Sequence, residues 1–311
     1  MKIRSPIFYM GNKLDLLDTL FMYFPKNEDV SLFIDLFGGS GVVSANVSYE
    51  NVIYNELNEN IVKMIELLYS EEPQDIVNHI EKRIKEFDMP NQNMDIRQPN
   101  LNSEIYMKAQ KQYYEFRKFY NKSNKDYKDL LTIIHFSFCN LVRFNSKSEF
   151  NMPFGNRCYL KGEHDSDISN FSSSIKKKNF KILNMDALDL LQNGTFDKET
   201  FIYLDPPYSN TTAIYNENRA FGGWNETNDE LLFIELDKLH KKGVKWAMSN
   251  VLQNKGIRNT HLEKWANDNC YKIIHLDEKQ YSALGKGNAK SQEVLIINYK
   301  PPFEQYTIFD F

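Results

Sequence analysis

Short apolar runs that stop at glycine or at a carboxylate recur along the chain. Leu32-Phe33-Ile34-Asp35-Leu36-Phe37 is broken by Gly38-Gly39-Ser40-Gly41, the pattern of a buried strand turning through glycines into a helix. The β-prone run Asn51-Val52-Ile53-Tyr54-Asn55 ends at Glu56, and beyond it Ile61, Val62, Ile65 and Leu68 recur at helical spacing. Such alternation predicts parallel strand pairing. From about Glu71 to Asn140 the helical period takes over: Ile76, Ile80, Ile84 and Phe87, then Tyr106, Tyr113, Phe116 and Tyr120, then Leu130 to Leu141. The aromatic residues of the second group are assigned to helix packing. RFNSKSEFNMPFGN, residues 143–156, has short β-prone pieces broken by Asn, Ser, Pro153 and Gly155, and predicts a hairpin or an exposed loop. Strand patterns resume at 180–184, 201–204, 244–248, 271–274 and 293–297, with a helix over about 227–242 closed by Gly243. The expected architecture is one open α/β sheet interrupted by a mostly helical insertion.

Composition narrows the class. The 311 residues include 38 Lys and Arg against 42 Asp and Glu, a net charge of −4, and 41% are hydrophobic, so a core is available and neither a disordered nor a membrane protein fits. Cys139, Cys158 and Cys270 form no CxxC pair, which excludes a disulfide framework or a Cys-rich zinc site and makes the reducing cytoplasm the expected compartment. No apolar stretch is long enough to predict a membrane span or a secretion signal. Overall acidity argues against a protein that coats DNA non-specifically. Charge is unevenly distributed, however: from Arg143 to Lys181 eight basic residues face four acidic ones, a local excess of +4.

Two constellations carry candidate chemistry. A glycine turn after one strand and Glu56 at the end of the next suit an adenosine-containing cofactor, because glycine lets main-chain amides approach a ligand and a carboxylate accepts hydrogen bonds from ribose hydroxyls. The dinucleotide fingerprint GxGxxG is not met, since Gly41 is followed three residues later by Ser44, which disfavours NAD. Asp205-Pro206-Pro207-Tyr208 directly follows the strand FIYL. Prolines stiffen that turn and remove amide donors, so the Asp205 carboxylate and the Pro206 carbonyl can present acceptors to an amino group on a planar base, with the Tyr208 ring beside it.

With these residues in view, the chain resembles the Dam-type (D12 class) DNA adenine-N6 methyltransferases, especially the short bacteriophage and restriction-modification members. The matching stretches are FYMGNK at 8–13, FIDLFGGSG at 33–41, YNELN at 54–58, NLVRFNSKSEFNMPFGNR at 140–157, DPPY at 205–208 and MSNVL at 248–252, in the family's order and over nearly the whole chain. The resemblance implies an α/β, Rossmann-like S-adenosylmethionine-dependent methyltransferase sheet with an inserted, mostly helical target-recognition subdomain. The implied organisation is a discontinuous catalytic domain of 1–70 and 175–300, a recognition subdomain of 71–174 with a hairpin near 143–157, and a tail of 301–311. It implies that Asp205, Pro206 and Tyr208 act on a flipped adenine. S-adenosylmethionine would contact Asp35, Phe37, Gly38, Gly39, Ser40, Gly41 and Asp205, with Glu56 on the ribose and Tyr9, Gly11 and Lys13 near the methionine end. Asp186 is either an adenine contact or the N-cap of a helix beginning at Ala187. No metal is implied. The expected target is a short palindrome, GATC or a related sequence.

For DNA reading the resemblance points to Lys13, Asn140, Arg143, Asn145, Pro153 and Arg157. Arg157, just past the NMPFG turn, is the candidate for a bidentate contact to guanine in the major groove. Lys176 to Lys178 meet either phosphates or water. Residues 209–227, with Tyr215, Gly222, Gly223 and Trp224, form either a loop closing on the flipped base or a surface loop. The six histidines show no ligand spacing. Expected partners are double-stranded DNA and a cognate restriction endonuclease. A bacterial sliding clamp is added if the tail motif QYTIF docks as a peptide rather than packing on its own domain. Two rival activities stay open, cytosine-N4 methylation and a catalytically silent DNA-binding subunit.

Overall fold

The computed structural model describes residues 2–8, 11–90, 104–208, 224–254, 256–276, 279–280 and 290–302. In chain order the elements are α1 (Leu17–Tyr23), β1 (Leu32–Asp35), α2 (Val42–Asn46), β2 (Asn51–Asn55), α3 (Glu59–Ser70), α4 (Pro73–Glu86), α5 (Glu104–Lys122), α6 (Tyr127–Ile134), α7 (Lys161–Lys176), β3 (Asn179–Leu183), α8 (Ala187–Asn193), β4 (Thr200–Leu204), α9 (Glu226–Lys241), β5 (Lys245–Asn254), β6 (Ile257–Arg258), α10 (Thr260–Asp268), β7 (Lys272–His275), β8 (Lys279–Gln280) and β9 (Lys290–Ile297). They fall into two compact units. A sheet unit comprises Asp15–Gly38, Val47–Leu57 and Lys178–Phe311, and a helical unit comprises Met1–Leu14, Gly39–Asn46 and Asn58–Lys177.

In the sheet unit the strands run β3-β2-β1-β4-β5-β9-β7, with the short β6 on β5 and β8 on β9. The first five are mutually parallel, as the alternating pattern predicts. β9 instead lies antiparallel between β5 and β7. Antiparallel strands need no crossover element, so this end of the sheet departs from the βα rhythm. β5 also extends to Asn254, well past the expected 248, with an irregular register between Val251 and Gln253.

Side chains alternate across the sheet, and both faces are covered within this unit. On one face Ile34, Leu36, Ile202, Leu204, Trp246, Met248, Val294 and Ile296 pack with apolar residues of α8, α9 and α10. On the other, Phe24, just after α1, meets Phe201 edge-on at 4.9 Å and Tyr203 at 5.3 Å, beside Phe33 and Tyr49. Each such aliphatic or phenyl side chain, fully buried, contributes about 1.5–3 kcal/mol relative to exposure. α9 begins with a reciprocal capping box between Asn225 and Asn228 and stops at Gly243, whose φ of 78° few other residues adopt.

In the helical unit α3 and α4 pack on α6 and α7, α2 packs on α7, and α5 packs on α6. The buried Asp129 carboxylate ties α4 to α6 by accepting from His79 (2.7 Å) and from Arg83 (2.6 and 3.2 Å). Burial alone would raise its pKa, but these hydrogen bonds hold it below the usual carboxylate value. The helical unit ends at Lys177. Residues 1–14, 39–46 and 58–70 group with the helical unit. The physical reason is the packing of α2 and α3 on the inserted helices.

Candidate active site and nucleic-acid interface

The parallel strands of the sheet unit end together, and main-chain bonds fix how. The Leu36 amide donates to the Tyr203 carbonyl (3.0 Å), so the residue two before Gly38 is bonded to the residue two before Asp205. The Gly38 amide donates to the Asn55 carbonyl at 2.7 Å. The Asn55 carboxamide straps three strand ends, donating to the carbonyls of Leu36 (3.0 Å) and Met185 (3.1 Å) and accepting from the Met185 amide. Asn184 donates to the carbonyls of Glu56 and Leu57 at 2.8 and 2.9 Å, fixing the main chain that presents the buried Glu56 carboxylate. Gly38 has a packing reason besides any ligand: a Cβ there would stand 2.2 Å from the fully buried ring of Tyr54.

Asp205 stands at the carboxyl end of β4 and is oriented by Tyr208, whose hydroxyl donates to its Oδ1 at 2.8 Å. Burial first, then the Asp205 and Glu293 charges, push the Tyr208 phenol well above its ordinary value, so it remains a neutral donor. Beneath the motif the buried Tyr203 and Ser249 hydroxyls share a 2.8 Å hydrogen bond. Trp224 packs edge-on against Phe37, ring centroids 5.4 Å apart, and its indole donates to the buried Asp229 at 2.6 Å. Trp224 is thus docked at the entrance of α9. Tyr215, Gly222 and Gly223 lie outside the described residues. Asp186 is the N-cap of α8, its Oδ1 accepting from the Leu188 amide (2.8 Å) and the Asp189 amide (3.3 Å).

In the helical unit Gly39 (φ 49°), Ser40 and Gly41 (φ 73°) continue the glycine turn along the chain. The Ser5 hydroxyl donates to the Ser40 carbonyl at 2.6 Å, and a Cβ on Gly41 would stand 3.0 Å from Phe171. Lys13 is buried, its ammonium donating to the Gly11 carbonyl at 3.0 Å. Tyr9 lies outside the described residues.

The segment expected to read DNA is an antiparallel hairpin. Phe144 bridges Phe150, and the strands close through Asn145, whose amide donates to the Glu149 carbonyl at 2.9 Å. Arg157 and Pro153 are exposed. Arg143 is braced on Asn151, with Nε to Oδ1 at 2.8 Å. The Asn145 side chain shapes the turn itself, since its Oδ1 accepts from the amides of Lys147 and Glu149 and its Nδ2 donates to the Glu149 carboxylate at 2.8 Å. Asn140 is buried, with Oδ1 lacking a hydrogen-bond partner. The lysine run is not simply solvated: Lys176 donates to the Glu71 carbonyl at 2.7 Å, and burial lowers Lys178 to about 8. Pairing of Lys161 with Glu81 and Asp165 likewise spends part of the local positive excess internally.

With the geometry in place, comparison with known proteins decides the lineage. The model of the D12 class N6 adenine-specific DNA methyltransferases matches residues 9–281. The chain belongs to this family. It is 34% identical to the type II methyltransferase M.FokI of Planomicrobium okeanokoites and 32% identical to the modification methylase StsI of Streptococcus sanguinis. Each match covers 96% of this chain. The chain spans only 43% of the length of either relative. The DNA adenine methylase of Escherichia coli strain K12 is 23% identical over 69% of this chain and 68% of its own.

Within this D12 family chain, the sheet unit brings Asp35, Phe37, Gly38, Glu56, Asp186, Asp205, Pro206 and Tyr208 to one edge, while Gly11, Lys13, Gly39, Ser40 and Gly41 belong to the helical unit. Asn55, Asn184, Tyr203 and Ser249 support the edge, although sequence alone assigns them no role. Their only signal is membership in YNELN, in FIYL before DPPY and in MSNVL, and Asn184 lacks even that. Among the described residues no group of three or more metal-ligating side chains occurs, and no helix is long and apolar enough to cross a membrane.

Proposed function

We propose that this chain transfers the methyl group of S-adenosylmethionine to the exocyclic N6 of an adenine flipped out of duplex DNA. The observation that carries the reading is the hydrogen-bonded adjacency of the β1 and β4 ends, which sets the start of the glycine turn beside Asp205-Pro206-Pro207-Tyr208 at one sheet edge. The residues present suit the donor: Glu56 offers ribose hydroxyls a carboxylate, and Asp35, Phe37 and Gly38 lie at the neighbouring strand end. Gly39, Ser40, Gly41, Gly11 and Lys13 are assigned to it by family resemblance. The donor supplies an electrophilic methyl on a sulfonium.

Asp205 and the Pro206 carbonyl accept hydrogen bonds from the amino group of the target base. That grip draws the nitrogen lone pair out of ring conjugation, and the carboxylate stabilises the positive charge that grows on nitrogen as the nitrogen–methyl bond forms and the methyl–sulfur bond breaks. The methylated nitrogen then releases one proton to solvent, and the sulfur departs as a neutral thioether. Tyr208 holds the carboxylate in position and offers its ring to the extruded base, offsetting an unstacking cost of about a few kcal/mol. The helical unit reads the sequence through the hairpin, with Arg157 the exposed group for a guanine edge.

Asp205→Ala is expected to abolish methyl transfer while S-adenosylmethionine still binds, and unchanged transfer would refute the assignment. Mapping methylated bases in DNA from an expressing host identifies product and site together. N6-methyladenine is expected, with GATC the first sequence to examine, whereas N4-methylcytosine would move the chain to the rival activity. A modified base at a different short sequence would replace the proposed target and leave the chemistry intact. A cognate restriction endonuclease is the proposed functional partner. The clamp-like tail motif at 305–309 lies outside the described residues.

A further inference from the structure

Four side chains spaced four residues apart take hold of the main chain of the returning hairpin strand. Tyr113 and Arg117 both donate to the Met152 carbonyl, at 2.9 and 2.8 Å. The Asn121 carboxamide donates to the Phe150 carbonyl (3.0 Å) and accepts from the Phe150 amide (2.8 Å). Lys125, just beyond α5, donates to the Ser148 carbonyl at 2.6 Å. The gripped residues, 148, 150 and 152, alternate along the strand.

The match is metric. Four residues advance about 6 Å along a helix, and two residues advance about 6.6–6.8 Å along a strand. The step from Arg117 to Asn121 on α5 therefore matches the step from the Met152 to the Phe150 carbonyl, while Tyr113 joins Arg117 on Met152 and Lys125 reaches Ser148 from beyond the helix end. Packing reinforces it, since Tyr120 meets Phe150 edge-on and the Tyr113 ring centroid lies 5.5 Å from that of Phe154. Arg117 is itself steadied over the Tyr114 ring at 4.6 Å.

We propose that the ridge Tyr113, Arg117, Asn121 and Lys125 is a positioning device that sets the register of the recognition hairpin and thereby its sequence discrimination. None of the four needs to touch a base. The hairpin has few ladder bonds of its own, and a one-residue slip would send each side chain to the opposite face. A bidentate base contact survives displacement of only about 0.5 Å, so loss of the ridge should blur recognition before it reduces chemistry. This inference rests on the proposed reading of the hairpin as the DNA reader.

The test compares Asn121→Ala, Lys125→Ala, Arg117→Ala and Arg117→Lys with Arg157→Ala in the full chain. Methylation of a cognate duplex and of duplexes altered at one base pair is measured beside S-adenosylmethionine affinity. Expected is a rise in KM for DNA and a fall of about tenfold in cognate preference, the scale of one bidentate base contact. The rate at saturating DNA should hold within about twofold, donor affinity should be unchanged, and Arg117→Lys should recover part of the preference. Where Asn121→Ala does not fold, Lys125→Ala and the two Arg117 variants decide. If Arg157→Ala relaxes specificity and the ridge variants do not, the ridge is structural only and the inference fails. If Arg157→Ala also leaves discrimination intact, the hairpin reading itself fails. Equal losses in donor binding and DNA binding would show general destabilisation and also overturn the inference.

Discussion

The sheet edge and the hairpin hold their candidate site residues in opposite ways. At the edge, Asp205, Glu56 and Gly38 stand at the ends of parallel strands, and main-chain hydrogen bonds between neighbouring strands fix them. The hairpin is bridged at Phe144 and Phe150 and, further along, at Ser137 and Phe154. It passes through left-handed backbone at Cys139, Asn140, Ser148 and Asn156, none of them glycine, and takes its position from α5. A ladder places chemistry through backbone periodicity, whereas a braced hairpin places it through particular side chains. The first arrangement keeps its geometry under most surface substitutions, and the second can be retuned by a few.

The largest effects should come from filling the one close approach each region makes. A Cβ on Gly38 would stand 2.2 Å from the Tyr54 ring, and one on Gly155 would stand 2.3 Å from the Ser137 carbonyl oxygen. Gly155 is closed in by main chain, donating to the Phe136 carbonyl at 2.8 Å, so its neighbour has little room to yield. Overpacking of this kind costs about 1–3 kcal/mol where the site can relax, and more where it cannot. Gly38→Ala is expected to lose S-adenosylmethionine binding while keeping DNA affinity, and Gly155→Ala to do the reverse. Calorimetric titration with each ligand checks this. If either substitution removed both affinities alike, the contrast between the regions would break.

This contrast also explains what can be read from sequence. Runs such as FIDLF and FIYL show a buried parallel strand because nearly every side chain is apolar, and GGSG and DPPY mark their ends, so the edge is legible in order and in type. The strap formed by Asn55 is not, because an asparagine closing a strand looks the same whether it meets water or two neighbouring chain segments. Periodicity likewise assigns Tyr113 and Tyr120 of α5 to packing and gives no hint that Arg117 and Asn121 grip Met152 and Phe150. Position in YMGNK does not reveal that Lys13 is buried, nor does the charge count reveal that Lys176 is spent on Glu71. Hydrogen bonds from side chain to main chain across 29 or 35 positions leave no repeating pattern.

Acid should separate the regions next. His135 is buried against His164, ring centroids 4.5 Å apart, and burial, followed by the nearby His164, holds it well below the usual value. His164 is itself lowered by burial, raised in part by Glu163 and Asp165 and lowered again by Arg157. Both pKa values lie below those of the unfolded chain, so the unfolded state binds more protons as pH falls through about 6.5, and stability falls with it. Both histidines belong to the helical unit. Protection of hairpin amides should therefore decline between about pH 7 and 5 ahead of that of the sheet, as followed by hydrogen exchange, and His135→Phe should flatten the decline. Simultaneous loss in both regions would show that they unfold as one.

The smallest effect belongs to Asp186, where the two modes of placement meet in one side chain. Its Oδ1 caps α8 by accepting two amides, and loss of a cap costs about 1 kcal/mol. Asp186→Ala removes both cap and carboxylate, while Asp186→Ser keeps a capping oxygen and removes only the charge. A residue that merely caps would show lower thermal stability in the alanine variant, near-normal stability in the serine variant and unchanged donor affinity in both. Contact with the adenine ring would instead weaken S-adenosylmethionine binding several-fold in Asp186→Ser with the helix intact. That second result would add the end of β3 to the donor-holding part of the edge, because the same carboxylate would then hold both the helix and the ligand.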